Sequence, residues 1–430
     1  MTKKITNEDY VVISSWLPKF KEYEEKKDNF FLTKDNFWSK NFPTTSSSDF
    51  LKNFYPGINS TVIEILEKEN FVLAGKTILD EFACGGTGLN ANTGPIFNPH
   101  DKNYISGGSS SGSSWAVSKD LVDFSLGHDT GDSIRRPASY CGVIGFKPSY
   151  GIISRYGVIP MSSSFDTVGV IAKKIDNVIS IFSKILKSDS RDLLTEVSKK
   201  IKVNPSRKKR IAIISELNSY IPKEIFQVYE KKIEIFIKMG YSVEEIEIPK
   251  EIRDHLQTTY LILCSSELVS HLNSLQGVTF GNSEDINWKE KRNISLGDTV
   301  KQRLLMGSYF LENDHLIEKA QKNRFLIDQW NKKVLSDFDF IVFPSTNSTA
   351  PKSSSFKSSF SGLISSHWSD NLLLLSNFSG LPSISLPIDF IDNLPIGISI
   401  NGNWGEDDYL LEFSRNFVIN NAEEGSHENN

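Results

Sequence analysis

The residues best suited to chemistry lie between Gly107 and Gly142. GGSSSGSS at Gly107–Ser114 is followed by a short strand-like VDFSLG and then by HDTGDSIRRPASYCG from His128 to Gly142. Glycine and serine crowd two turns here. Such turns let backbone N–H groups approach a ligand closely, which serves a phosphate or an oxyanion. A serine hydroxyl among them becomes a nucleophile once a base takes its proton. Read alone, the glycines fit a serine-rich linker equally well. The sequence holds no GxxxxGK[ST] nucleotide loop, no HExxH and no CxxC pair. Its seven histidines, His100, His128 and His367 among them, are far apart, so a Ser-His-Asp triad could arise only through the fold.

Elements that position these turns are legible around them. Thr61 to Leu73 (TVIEILEKENFVL) predicts a helix running into a strand, with Gly75 turning the chain afterwards. The Gly/Ser/Asn stretch from Cys84 to Ser114 is interrupted by Phe97, Pro99 and Tyr104 and leads into a helix expected over Ser113 to Leu121, more like a functional loop than a tether. Arg210 to Ser215 and Tyr241 to Ile248 read as strands. The helix between them has an apolar face of Ile225, Tyr229, Ile233, Phe236 and Ile237, with Pro222 near its start and Gly240 past its end. That is a βαβ unit, so part of the sheet is parallel and covered by helices. Phe338 to Phe343, Ser383 to Ile388 and Ile396 to Ile400 are further strands, the last two joined by a turn at Asp392 and Asn393.

Composition narrows the field. At about 150 residues per domain the 430 residues would allow three domains, although single α/β domains also reach this size. With 48 Lys+Arg against 53 Asp+Glu the net charge is -5, so no strong basic field is available to hold nucleic acid, and an RNA partner would need a local patch or another subunit. Cys84, Cys141 and Cys264 match neither a disulfide framework nor a zinc pattern and point to a reducing, cytoplasmic setting. The N-terminus lacks the apolar run of a signal peptide, and Asn371 to Ile388 is too broken by Ser376, Asn377, Gly380 and Pro382 to span a membrane.

GGSSSGS, DTGDSIRRPASYCG and GFKPSYGIISRYGVIP together resemble the amidase signature family of serine hydrolases. TKDN at Thr33–Asn36, AGKTILDEFACGG at Ala74–Gly86 and NFSGLPSISLP at Asn377–Pro387 extend the likeness from about residue 30 to about residue 415. The resemblance implies an α/β fold, a central mixed β-sheet covered by helices on both faces. With a Lys-, Glu- and aromatic-rich N-terminal helical segment (1–30) and a polar tail expected to fray (421–430) read from composition, it implies one amidase-signature domain (31–420) whose preceding segment is shortened relative to the family. It also implies a Ser-Ser-Lys arrangement. By motif, Ser133 matches the nucleophile, Ser109 the bridging serine that usually follows a cis peptide bond, Lys34 the lysine, and the backbone N–H groups of Thr130, Gly131, Asp132 and Ser133 the oxyanion hole. An ordinary lysine, pKa about 10.4, is charged at neutral pH. Burial among uncharged groups would lower that value enough for Lys34 to act as a base through Ser109. Lys76 in AGKT is the competing lysine, set aside because only Lys34 carries the TKDN match.

Within the family the chain is most similar to the A subunits of tRNA-dependent amidotransferases, through SRYGVIP, SSSFDTVGV and TVKQRLLMGSYFL at Thr299–Leu311. This resemblance implies that Arg303 holds the α-carboxylate of glutamine and Asp370 its α-ammonium, a chemically sensible fork and counter-ion. It implies glutamine hydrolysis through a γ-glutamyl ester on Ser133. The ammonia would serve conversion of Glu-tRNA(Gln) to Gln-tRNA(Gln), or of Asp-tRNA(Asn) to Asn-tRNA(Asn). No cofactor is expected on this chain; ATP and magnesium belong to a B-type kinase/transamidase subunit that also makes most tRNA contact, and a small C-type subunit completes a heterotrimer. A free-standing amidase and a catalytically weak scaffold are the alternatives. The chain departs from the family where Asp132 replaces a glycine before the nucleophile. That carboxylate is expected to narrow the pocket, to raise the pKa of Lys34 or to help bind the ammonium, and to bear a backbone cost if the position needs φ > 0.

Overall fold

The computed structural model describes residues 29–199, 207–275, 288–356 and 367–428. Its centre is one mixed sheet of ten strands: β1 Asn29–Lys34, β2 Phe71–Thr77, β3 Phe124–Asp129, β4 Ile144–Lys147, β5 Thr167–Ala172, β6 Arg210–Ile214, β7 Ser242–Ile246, β8 Phe340–Pro344, β9 Ser383–Ile391 and β10 Leu394–Asn401. Their order is β2-β1-β3-β5-β4-β9-β10-β8-β6-β7. β1 runs parallel to β2 and β3, and β6 to β7 and β8; the pairs between these two blocks are antiparallel.

Strand periodicity explains why both faces are covered. Neighbouring residues point to opposite sides, and Phe31 and Val170 belong to one buried cluster while Leu32 and Ile171 belong to another. The first cluster takes in Val178, Ile181, Phe182 and Ile185 from the helix Ile175–Ile185. The second takes in Ala116 and Val117 from the helix Ser111–Ser118, with Ile134 and Ala138 at the helix Arg135–Cys141. Small residues on these last two helices let them lie close to the sheet, and they carry the two Gly/Ser turns.

The βαβ unit forms as expected, with β6 and β7 parallel and the helix Lys223–Lys238 between them. Its buried face differs by one residue: Ile235 is buried and Ile237 is exposed. The two lie nearly equally far from the centre of the Ile225–Tyr229–Phe236 stripe, so packing of neighbouring elements decides between them. The hairpin β9–β10 turns through Asp392 and Asn393, both at positive φ, as a two-residue connection requires.

Four expectations are corrected. Gly75 does not turn the chain: it sits inside β2 opposite Leu32, where the pairing slips by one residue after Leu73, and a glycine in a strand commonly marks such a bulge. The helix expected from Ser113 starts at Ser111 and ends at Ser118, because the small serines pack against the sheet instead of remaining in the loop. The stretch expected to fray after residue 420 is helical to Glu428, continuing a helix from Asp407 whose Leu410, Leu411, Phe413 and Phe417 are buried. Asn29 and Phe30 already belong to β1, and the rest of the N-terminal segment (1–28) lies outside the described residues. Among the described residues no helix is long and apolar enough to cross a membrane. The three cysteines are free and buried.

Candidate active site

Parallel strands bring the chemistry to one edge. Lys34 is the last residue of β1 and Asp129 the last of β3, so their carboxyl ends open on the same side, where ligands bind in such sheets. Lys34 is fully buried; its Nζ lies 2.7 Å from Ser109 Oγ and donates to the His128 carbonyl at 2.9 Å. Burial pushes the Lys34 ammonium down to about 7, against the raising pull of Asp129, Asp80, Asp166 and, last, Asp132. Lys76 is spent elsewhere, in a buried ion pair with Asp35 at 2.9 Å.

Ser109 follows a cis peptide bond from Gly108. Its turn is tied to the second one by the Ser110 N–H, which donates to the Ser133 carbonyl at 3.1 Å. Asp80 braces the other side: it accepts from the N–H groups of Gly88 and Asn90, each at 3.0 Å, and its own N–H donates to the Ser109 carbonyl. Gly108 has no room for a side chain, since a Cβ there would lie 1.9 Å from Asp80 Oδ2. Gly108→Ala should therefore cost about 2 kcal/mol of stability in a urea titration and depress turnover at the same time. Wild-type stability with full activity would show that this turn yields more readily than its close contacts imply.

Ser133 is buried in the turn after β3. Arg135 and Asp129 fix that turn. Asp129 accepts from the Ile134 N–H at 2.9 Å and from Arg135 through both oxygens, while Arg135 also donates to the Gly131 carbonyl and to Asn377, Ser376, Ser383 and the Leu373 carbonyl. Burial pushes the Asp129 carboxyl up, but the Arg135 cation outweighs it and holds the group down at about 2. Thr130 donates to Asp166, which also accepts from Met161 and Ser162 N–H groups. Among the described residues the N–H groups of Gly131, Asp132 and Ser133 donate to no protein acceptor. They are free to receive an anionic oxygen. Gly131 must be glycine because a Cβ would come within 2.9 Å of the Tyr260 ring.

Arg303, on the helix Asp298–Glu312, is buried close to Cys84, Tyr260 and Cys264, whose ionisation its charge influences; its Nη1 has no partner among the described residues. Asp370 is buried on the short helix Trp368–Asp370, and its Oδ2 is likewise unpartnered among them. A buried cation and a buried anion, each with one open atom, are uncommon outside binding sites.

The residue that departs from the family pattern, Asp132, keeps negative φ and bears no left-handed strain. Its carboxylate accepts from Arg136 Nε at 2.5 Å rather than meeting Lys34. The structure thus gathers Lys34, Ser109, Ser133 and Asp370 around the 130–133 turn, and places Arg303 beside Tyr260, which packs on that turn. Sequence reasoning missed Asp80, Asp129, Arg135, Arg136 and Tyr260. Arg135 and Arg136 stand in SIRRP, and two arginines beside a nucleophile are a signal for charge partners.

A buried lysine bonded to a serine beside a second serine-bearing turn, on a mixed sheet covered on both faces, is the arrangement of an amidase, and the chain belongs to the amidase family, whose sequence profile matches residues 30–411. Within it, the chain is 33% identical to the A subunit of glutamyl-tRNA(Gln) amidotransferase from Mycoplasma genitalium, over 96% of this chain and 88% of that protein. It is 35% identical to the mitochondrial A subunit of the same enzyme from Schizosaccharomyces pombe, over 90% and 87% of the two chains. The crystal structure of the A subunit from Thermotoga maritima superimposes with a TM-score of 0.73 at 30% identity, covering 89% of this chain and 81% of that one.

Proposed function

We propose that this chain is the glutamine-hydrolysing amidase subunit of a tRNA-dependent amidotransferase. The observation that carries the reading is a pair of buried atoms of opposite charge with no partner among the described residues: Arg303 Nη1, beside the Tyr260 that packs on Gly131, and Asp370 Oδ2, joined through Arg136 to Asp132. An amino-acid amide offers a carboxylate to the first and an ammonium to the second, leaving its side-chain amide for the serine. Similarity to the A subunits of three organisms supports the same reading.

In this mechanism neutral Lys34 takes a proton through Ser109 as Ser133 Oγ bonds to the amide carbon. The oxyanion rests on the N–H groups of the 130–133 turn. The tetrahedral adduct then collapses: the C–N bond breaks, the proton returns to the leaving nitrogen, and ammonia departs from a γ-glutamyl ester on Ser133. Water, deprotonated by the same relay, hydrolyses the ester to glutamate. In the assembled enzyme a B-type subunit, using ATP and magnesium, activates the acyl group on Glu-tRNA(Gln) or Asp-tRNA(Asn) and receives the ammonia, with a small C-type subunit holding the pair. The chain itself needs no cofactor and acts in the cytoplasm, where buried free thiols suit the reducing conditions.

Ammonia release from glutamine, measured for the purified chain alone and with B- and C-type subunits plus ATP and misacylated tRNA, tests this. Release that rises sharply only in the complex is the expected result. Robust hydrolysis of amides that are not amino acids by the lone chain, without response to the partners, would overturn it in favour of a free-standing amidase.

A further inference from the structure

Next to Ser133 lies a chain of charge that the hydrolytic steps do not use. Arg136 is nearly fully buried between two carboxylates: Nε donates to Asp132 Oδ2 at 2.5 Å, and Nη1 donates to Asp370 Oδ1 at 3.0 Å. Its Nη2 donates to the Asp370 backbone carbonyl at 2.6 Å, so the guanidinium grips both the side chain and the main chain of Asp370. The Asn347 N–H adds a longer bond to the same Oδ1, at 3.4 Å. Every one of these side-chain contacts falls on Oδ1, and Oδ2 alone is left open and buried among the described residues.

This arrangement poses an electrostatic question. A carboxylate that is to receive an ammonium is poorly served by a neighbouring guanidinium, which cancels its charge. Two anions around one cation restore the balance, since Asp132, Arg136 and Asp370 together carry one net negative charge, the same as Asp370 alone. An arginine this deep also needs both partners, because a buried cation left short of counter-charge is strongly unfavourable.

Building on the reading of the substrate as an amino-acid amide, we propose that Asp132 and Arg136 are specificity-determining positioning residues. Arg136 holds Asp370 with Oδ2 turned to the substrate, and Asp132 offsets the Arg136 charge so that Asp370 still attracts an α-ammonium. Asp132 and Arg136 then work as a unit. Losing the Asp132 charge alone leaves the trio neutral and weakens selection for the ammonium; losing both charges returns the single negative charge of Asp370.

The test is a double-substitution cycle for binding, in full-length Ser133→Ala protein so that ligand is not consumed. Isothermal titration calorimetry compares L-glutamine with glutaramate, which is glutamine without its α-amino group. Asp132→Asn, which keeps the shape and the arginine, should weaken L-glutamine by about tenfold, and Asp132→Asn with Arg136→Gln, which removes the cation but keeps an amide donor to hold Asp370, should recover most of that loss. Glutaramate should respond little to either change. Equal losses for both ligands, no loss in Asp132→Asn, or no recovery in a folded double variant would overturn the proposal. Should the Arg136 variant not fold, the Asp132→Asn comparison of the two ligands decides alone. A Ser133→Ala parent that binds both ligands alike would overturn the amino-acid-amide reading together with this one; a parent that prefers L-glutamine with a flat cycle overturns this one only.

Discussion

Ser133→Ala should abolish ammonia release from glutamine, a loss on the order of ten-thousandfold, while amidation driven by added ammonium salt persists in the assembled complex. The substitution removes only the hydroxyl. The contact that joins the two turns runs from the Ser110 N–H to the Ser133 carbonyl and survives, as do the Arg135 and Asp129 bonds that shape the turn. The site should keep its form and its ligand while losing the atom proposed to form the ester. Both activities measured on the same preparation separate the cases, and loss of both would assign Ser133 to folding or assembly.

Lys34→Met should have the second largest effect, and its two parts have opposite signs. In the proposed mechanism Lys34 is the group that receives the serine proton, so turnover should fall by about a thousandfold. Stability rises at neutral pH, because methionine fills a similar volume without burying an amine. The Lys34 pKa is lowered from the ordinary 10.5 to about 7 by burial. Between those values the folded chain binds fewer protons than the unfolded one, so wild-type stability climbs with pH through that window. The penalty is fully present below about pH 7 and fades as pH approaches the unfolded value. Lys34→Met should thus melt a few degrees above wild type at pH 7, with the gap closing toward pH 10. A variant less stable than wild type at pH 7 would mean that the bonds to Ser109 and His128 outweigh the desolvation. The same value places the acid limb of the wild-type kcat/KM profile near pH 7, with activity rising as the lysine loses its proton. A limb near pH 10 would leave Lys34 charged during turnover and sink its role as base.

Asp132 illustrates how local and tertiary information divide. In sequence it stands beside the nucleophile, and coupling to Lys34 is a reasonable expectation. In the fold, Arg136, one helical turn on, captures the carboxylate, and Asp132 acts on Lys34 less than Asp129, Asp80 and Asp166 do. The i to i+4 spacing of Asp132 and Arg136 is visible in GDSIRR and is itself a signal of this partnership.

Other parts were legible because they depend on short range. The βαβ unit follows from apolar periodicity and a glycine past the helix, and the β9–β10 turn from Asp392-Asn393, which tolerate positive φ. The flank of the Lys223–Lys238 helix was not legible, since Ile235 and Ile237 are equivalent until neighbours are placed.

The sequence by itself determined which residues were candidates for chemistry: a serine after DTGD, a serine after two glycines and a lysine in TKDN, with no nucleotide loop, HExxH or CxxC pair to compete with them. It determined also that a parallel block must exist, and that a glycine-rich stretch feeding a helix was a loop with a task. Only the tertiary structure decided that Lys34 rather than Lys76 is left without a carboxylate partner among the described residues, because Ser109 faces Lys34 and Asp35 faces Lys76. It alone joined Asp370 to Asp132 across more than two hundred residues through one guanidinium. The reason is physical: residue type sets what a group can do, but its charge state and its partners depend on burial and on neighbours brought together by the sheet, and these are properties of the folded chain.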